Sequence, residues 1–228
     1  KGYKVLCIDL DPQGNLSFSV DAETEDFPTI YDVMRGSTKP LHAVQRTPSF
    51  DIIGANILLS GIELEFTQRD REFILKNAIE SARTRYDYIL IDTPPALSIL
   101  TVNAFVAADA IIIPMLADIF SLQGIAELFE TIQRVKERYN PKLKIEGILL
   151  NKYSSRSVLT REILATAELV AKQMNTKIFK KKIRTGCAIA EAQAKQVPLL
   201  EYSKRSNIIK DYMIFAEEII TGGVDDGE

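Results

Sequence analysis

Short, unbroken apolar runs alternate along the chain with longer stretches in which apolar residues return every three or four positions. The clearest run, YILI at residues 88–91, passes directly into Asp92 and then Thr93-Pro94-Pro95. A run of that length suits a parallel strand covered on both faces, and the prolines cannot extend it. Similar runs predict strands over residues 5–10, 50–55, 110–115 and 145–150. Between them, periodic apolar positions predict helices over 56–66, with Leu58, Leu59, Ile62 and Phe66 inward, and over 71–84 and 100–107. The stripe Leu122, Ile125, Leu128, Phe129, Ile132 and Val135 predicts a helix capped by Ser121 and ended by Asn140-Pro141; a final helix is expected over 207–221. Thr29 and Gly36 bracket a shorter helix, and the acidic residues 21–27 predict a mobile loop. Strands alternating with helices specify an α/β fold, a doubly wound and mostly parallel sheet with helices on both faces. No linker divides the chain, so residues 1–228 are expected to form one domain with a frayed acidic tail over 222–228.

Composition narrows the picture. With 228 residues and 46% apolar content, the chain can bury a substantial core. Cys7 and Cys187 are the two cysteines; so far apart in sequence, they point to a reducing compartment rather than a disulfide framework or metal cluster. The apolar runs are of strand length, which predicts no transmembrane span. His42, the one histidine, sits in a polar connection without a second ligand and reads as a surface residue.

Charge changes the picture in two places. Asp9 and Asp11 flank Leu10 at the end of the first run, so strand pleating would put both acids on one face. Pro12 stops the ladder, Gly14 permits a positive φ and Asn15 can cap the next helix. Two acids held together repel each other unless a cation is near. Asp92, at the carboxyl end of its own run, lies where α/β sheets open their ligand crevice and can hold a hydrated Mg²⁺ beside phosphates. The second place is residues 177–210. Nine cations (Lys177, Lys180, Lys181, Lys182, Arg184, Lys195, Lys204, Arg205 and Lys210) face two acids, Glu191 and Glu201, a local net of +7 in a chain of net −3. Such segregation suits a phosphate-backbone partner, and equally a solvated basic face.

The segments DLDPQGN (9–15), TIYDVMRG (29–36), YDYILIDTPPALSILTVNAFVAADAIIIP (86–114), FSLQGIAEL (120–128), GILLNKY (147–153) and AEAQAKQ followed by YSKRSNIIKDY together resemble the ParA/Soj branch of the ParA/MinD deviant-Walker partition ATPases. The resemblance covers nearly the whole chain. It implies a P-loop fold that uses ATP and Mg²⁺, forms a homodimer around ATP, binds double-stranded DNA without sequence preference and is stimulated by a ParB-type centromere-binding protein. It also implies a cytoplasmic, nucleoid-associated protein that partitions a plasmid or chromosome, with no membrane partner. Carried over residue by residue, Asp11 falls on the acid that positions the attacking water. Asp9 lies beside the Mg²⁺ shell, Asp92 is the Walker B acid and Asn151 reads adenine. The +7 segment joined to the resemblance makes Lys195, Lys204 and Arg205 the expected DNA contacts.

The sequence departs from the family pattern in three respects. No glycine-rich loop ending in Lys-Ser or Lys-Thr occurs among its 228 residues, and the first residue is Lys1. The chain is therefore expected to be an amino-terminally incomplete piece of a working ATPase, itself inactive because the β- and γ-phosphates lack their lysine and amides. Arg184 stands where many relatives have proline near the adenine, and Ala188 where some have a DNA-contacting arginine. Two other readings stay open on the sequence: a DNA-binding or scaffold protein without enzymatic activity, and a MinD-like membrane-site selector, against which the acidic tail argues.

Overall fold

The computed structural model describes residues 1–154 and 158–222, and of residues 158–161 the backbone alone. The predicted frayed tail therefore falls, from residue 223 onward, outside the described residues. The chain divides into two compact units: Lys1–Ala108, Glu137–Pro141 and Ala192–Pro198 form the first, and the other described residues form the second.

In the first unit the strands are β1 (Val5–Asp9), β2 (Gln45–Arg46), β3 (Asp51–Ile53) and β4 (Tyr88–Asp92), paired in the order β2-β3-β1-β4. β1 is parallel to both neighbours, with Cys7 opposite Ile52 on one side and Leu90 on the other; β2 is an antiparallel edge. The helices are α1 (Asn15–Ser19), α2 (Ile30–Arg35), α3 (Ile62–Glu65), α4 (Ile74–Ala78), α5 (Glu80–Arg83) and α6 (Ile99–Ala107). Leu6, Ile8, Leu10, Ile52 and Ile53 are wholly buried, so the sheet carries the core of this unit.

Local chemistry explains where elements start and stop. Thr29 precedes α2 as expected: Asp32 accepts hydrogen bonds from the Thr29 N–H and hydroxyl, and Gly36 closes the helix at φ 76°. The predicted helix over 56–66 is a 3₁₀ segment (Ile57–Gly61) followed by α3; Leu59, Ile62 and Phe66 are buried, but Leu58 is 52% exposed. The tighter 3₁₀ turn shifts the inward face away from Leu58. The predicted helix over 71–84 is also broken, into a 3₁₀ turn (Arg71–Phe73), α4 and α5. Buried Asn103 of α6 binds its backbone, accepting the Leu75 N–H at 3.0 Å and donating to the Arg71 carbonyl at 2.9 Å. The acidic loop over 21–27 is pinned rather than free, because Gln45 donates to the Glu23 carbonyl and accepts its N–H.

The second unit holds β5 (Ala110–Leu116), most of α7 (Ile119–Arg138), β6 (Lys144–Asn151), α8 (Val158–Gln173), the start of α9 (Cys187–Ala194), α10 (Leu199–Tyr202) and α11 (Asn207–Ile220). β5 and β6 are parallel. α7 begins before Ser121, and its capping carboxylate is Asp118, which accepts the Ser121 N–H at 2.8 Å. Ile125, Ile132 and Val135 of its stripe are buried. The core of this unit is Phe179, whose ring lies so close over Gly147 of β6 that a Cβ there would stand 2.6 Å away. Phe179 also meets Phe215 of α11 edge to face at 4.9 Å.

The expected α/β fold with mostly parallel strands is present; among the described strands β4 pairs in parallel with β1 and β5 with β6. Among the described strands β4 is the last in its sheet. Leu90 is 53% exposed, against the expectation of a strand covered on both faces. Among the described residues no helix is long and apolar enough to cross a membrane.

Candidate functional site

The register of the parallel pair β1 and β4 sets Asp9 directly beside Asp92 at the carboxyl ends of both strands. The Leu10 N–H donates to the Asp92 carbonyl at 2.8 Å and carries the pairing one step beyond the strand. This is the end at which parallel sheets open toward ligands.

Asp9 is fully buried. Its Oδ2 accepts the Ser17 N–H at 2.8 Å and the Ser17 hydroxyl at 2.7 Å, and its Oδ1 accepts the Asp11 N–H at 3.1 Å. Three donors make a buried carboxylate tolerable. Asp9 thereby does for α1 what a capping side chain would do. The residue before α1 is Gly14, at φ 64° and without a side chain, and Asp9 satisfies the Ser17 amide instead of the predicted Asn15 cap. The Ser17 hydroxyl also accepts the Ala55 N–H at 2.9 Å, so one oxygen ties β1, α1 and the segment after β3 together. Because β1 ends at Asp9, pleating does not place Asp11; the turn held by Asp9 does, and Asp11 in turn accepts the Gln13 N–H at 3.0 Å.

Asp92 faces outward, open to solvent on one side and packed against protein on the rest. Its carboxyl is pushed up to about 6, first by burial and then by the charges of Asp9 and Asp11. Among the described residues none of the three acids forms an ion pair. A cation would relieve that repulsion, and an all-oxygen set suits a hard ion such as Mg²⁺. The set cannot enclose an ion by itself: the oxygens of Asp9 are taken by hydrogen bonds, and no cluster of three metal-ligating side chains occurs among the described residues. What fits is a largely hydrated ion held at Asp92 and completed by a ligand's oxygens, the usual manner of Mg²⁺. Cys7, in the middle of β1, has its thiol pushed up to about 12 by burial and then by Asp92, and is inert.

Asn151 closes β6 in the second unit, and its Oδ1 accepts the N–H of Lys152, which sits at φ 49°. The next residue, Tyr153, donates its N–H to the Ile183 carbonyl at 2.9 Å and carries the Lys182 ammonium over its ring at 5.5 Å.

The basic segment separates into two kinds of cation. Arg184 binds Asp211 of α11 through two side-chain bonds, Nε to Oδ2 at 2.6 Å and Nη2 to Oδ1 at 2.9 Å, and Lys181 Nζ reaches Oδ1 at 2.6 Å. Asp211 is 1% exposed, and the Arg184 guanidinium before all else holds its carboxyl well below the usual carboxylate range. Glu218, two turns further along α11, accepts the N–H groups of Lys180 and Lys181. The +7 count stops at Lys210, one residue short of the acid that neutralises two of its members. Lys204, Arg205 and Lys210 are exposed and make no ion pair among the described residues. Lys204 and Arg205 stand together in the turn between α10 and α11; Lys195 is exposed in the first unit, whose segment is tied to α1 by the Gln196 amide donating to the Phe18 carbonyl. Sequence reasoning missed Ser17 and Asp211. No pattern marks Ser17, whereas Asp211 could have been found as an acid three positions after Ile208 on the apolar stripe of α11.

A family model described as an AAA domain matches residues 1–145. Over 226 residues the chain is 36% identical to the chromosome partitioning protein ParA of Caulobacter vibrioides (strain NA1000 / CB15N), covering 96% of this chain and 84% of that protein. It is 33% identical over 226 residues to the sporulation initiation inhibitor protein Soj of Bacillus subtilis (strain 168), covering 97% and 88%. Among solved structures, cobyrinic acid a,c-diamide synthase from Mycobacterium smegmatis with bound ATP analog and magnesium matches with a TM-score of 0.84 and 29% identity, over 98% of this chain and 84% of that one.

Proposed function

The chain belongs to the ParA/Soj family of partition ATPases, and on that premise we propose that it serves the partitioning of a plasmid or chromosome as an ATP-dependent homodimer. In this reading the dimer binds double-stranded DNA without reading sequence and answers to a ParB-type partner. The observation that carries the proposal is the in-register pair Asp9 and Asp92, joined by Asp11 at the crevice end of β1 and β4, none of them in an ion pair among the described residues.

Each acid has a separate task. Asp92, the outward carboxylate, holds the hydrated Mg²⁺ that accompanies ATP. Bound there, the ion neutralises charge on the phosphate oxygens. Asp9 is the positioning residue: its three hydrogen bonds fix the 11–17 turn and so the place of Asp11. Asp11, partly exposed with one oxygen engaged, orients the attacking water. Asn151 reads the adenine edge, and the exposed cations Lys204, Arg205 and Lys195 meet DNA phosphates.

No lysine-bearing, glycine-rich phosphate loop occurs among these residues, so the 228-residue chain alone is proposed to show no measurable ATP turnover. The test supplies that part: a relative's first strand and phosphate loop are fused ahead of Lys1. The fusion is expected to hydrolyse ATP, and Asp11→Ala within it to keep ATP binding and dimerisation while losing hydrolysis by about a hundredfold or more. Equal losses of ATP binding and turnover would refute the role given to Asp11.

A further inference from the structure

At the opposite ends of the same strands the first unit carries a second concavity, a cleft of about 680 Å³. That volume lies within the range of small-molecule sites. Three cations line it: Lys4 ahead of β1, Arg46 at the end of β2 and Arg85 ahead of β4. They are far apart in sequence, and the sheet order brings them to one cavity because β1 lies between β3 and β4. None of the three forms an ion pair among the described residues. The one carboxylate in the lining, Asp51, is already engaged, accepting the Tyr86 hydroxyl at 2.7 Å. Three cations against one carboxylate, which lies opposite Arg46 in the strand register, leave the cleft with a net excess of positive charge.

Its walls are built rather than loose. The turn from β2 to β3 is pinned by Thr47, whose N–H and hydroxyl both donate to the Phe50 carbonyl, at 3.0 and 2.6 Å. The ring of Tyr3 is set edge-on against Tyr88 at 5.2 Å, and Phe50 and Tyr86 add apolar surface. A preformed cleft avoids the ordering cost that weakens binding to flexible surfaces. The guanidinium fork matches phosphoryl oxygens in pairs, and flat rings accept a flat base. β1 spans five residues, so the acids at its far end stand roughly 13 Å away, beyond about one Debye length in physiological salt.

We propose that this cleft binds a small phosphorylated ligand of nucleotide size, its phosphoryl groups on Arg46, Arg85 and Lys4 and its ring against the aromatic wall. The site does not depend on the crevice at the carboxyl ends, and it requires no magnesium. Calorimetric titration of the 228-residue chain with ADP and with inorganic pyrophosphate, in EDTA and low salt, tests it. ADP is expected to bind more tightly than pyrophosphate. Arg46→Gln with Arg85→Gln should weaken ADP binding by about tenfold or more, since losing one charge-assisted contact already reaches that factor. Lys142→Ala with Lys172→Ala, exposed cations that do not line the cleft, should leave ADP binding unchanged. Both arginines are exposed, so the thermal midpoint should hold; if the double variant fails to fold, Lys4→Gln should weaken ADP binding in the same direction. Absence of ADP binding, undiminished binding in the cleft variants, or loss in the Lys142 and Lys172 variant would overturn the proposal. So would binding of a short DNA duplex, without ADP binding, that the arginine substitutions abolish, because the cleft would then serve nucleic acid.

Discussion

Asp92 and Asp211 are carboxylates in the two units of one chain, displaced in opposite directions by their surroundings. Asp211 is almost fully buried, yet Arg184 and Lys181 close on it and hold its carboxyl well below the usual range. Asp92 faces the solvent, yet its carboxyl is pushed up to about 6 because burial of its inner side and two neighbouring acids act on it, with no ion pair among the described residues. Depth alone does not decide whether an acid is at ease; the charges around it do. The paired acid secures a fold, whereas the unpaired cluster stores repulsion that a bound cation would release.

The largest expected effect breaks the satisfied side. Asp211→Ala should cost about 3 kcal/mol, the low end for a broken buried pair, because Arg184 and Lys181 are 50% and 25% exposed and partly recover water. Since the folded carboxyl titrates below its unfolded value of about 3.9, its contribution is complete above that value and is lost as pH falls below it. Urea unfolding should show the gap between wild type and variant steady from about pH 5 to 8 and shrinking below about pH 4. A gap that does not change with pH would mean that packing rather than charge is lost.

Next comes the support beneath the acid cluster. Ser17→Ala removes the hydroxyl from Asp9 and an acceptor from the Ala55 N–H, both buried, and should cost about 2 kcal/mol in the same unfolding measurement. A smaller effect of opposite sign is expected at the cluster itself. An acid raised to about 6 contributes fully below its unfolded value, and that stability is lost as pH rises through about 6. Asp92→Asn should therefore melt like wild type near pH 4 and above it near pH 7.5 in EDTA. The difference should be on the order of 1 kcal/mol once solvent screening of the outward side is allowed for. An Asn variant less stable than wild type at pH 7.5 would remove the argument for stored repulsion. The smallest effect on stability belongs to the unpaired cations: Lys204→Ala with Arg205→Ala should change unfolding by less than about 0.5 kcal/mol. If these residues meet phosphates, fluorescence anisotropy should give a shallower slope of log K against log salt, by roughly one unit per lost contact, on two unrelated duplexes alike.

Much of this contrast could be read from residue order, though unevenly. The run into Asp92 and the DLDPQGN segment announce acids at strand ends, because strand and turn chemistry are local. The burial of Asp9 and its grip on Ser17 depend on which helix returns over β1, which no local pattern encodes. The same limit explains the broken helix over 71–84: its apolar period is sound, but Asn103, distant in sequence, binds its backbone. Charge counting overlooked Asp211 and Glu218 for a different reason. A window of like charges ignores acids just outside it, and Asp211 and Glu218 lie on the helix that packs back over the basic loop. Lys4, Arg46 and Arg85 carry no shared motif; strand order alone assembles them.

The proposed cation-binding role of the three acids is tested most directly by following the Asp92 side-chain carboxyl carbon by NMR through a pH titration of the fusion that carries the phosphate loop, with and without Mg²⁺ and a non-hydrolysable ATP analogue. Without them Asp92 should titrate near 6, and in Asp9→Asn its titration should move down toward the ordinary aspartate value. With them, its midpoint should fall below that ordinary value of about 3.9. An Asp92 that titrates near 4 in every condition would contradict the account, since the cluster would then hold no repulsion for a cation to relieve.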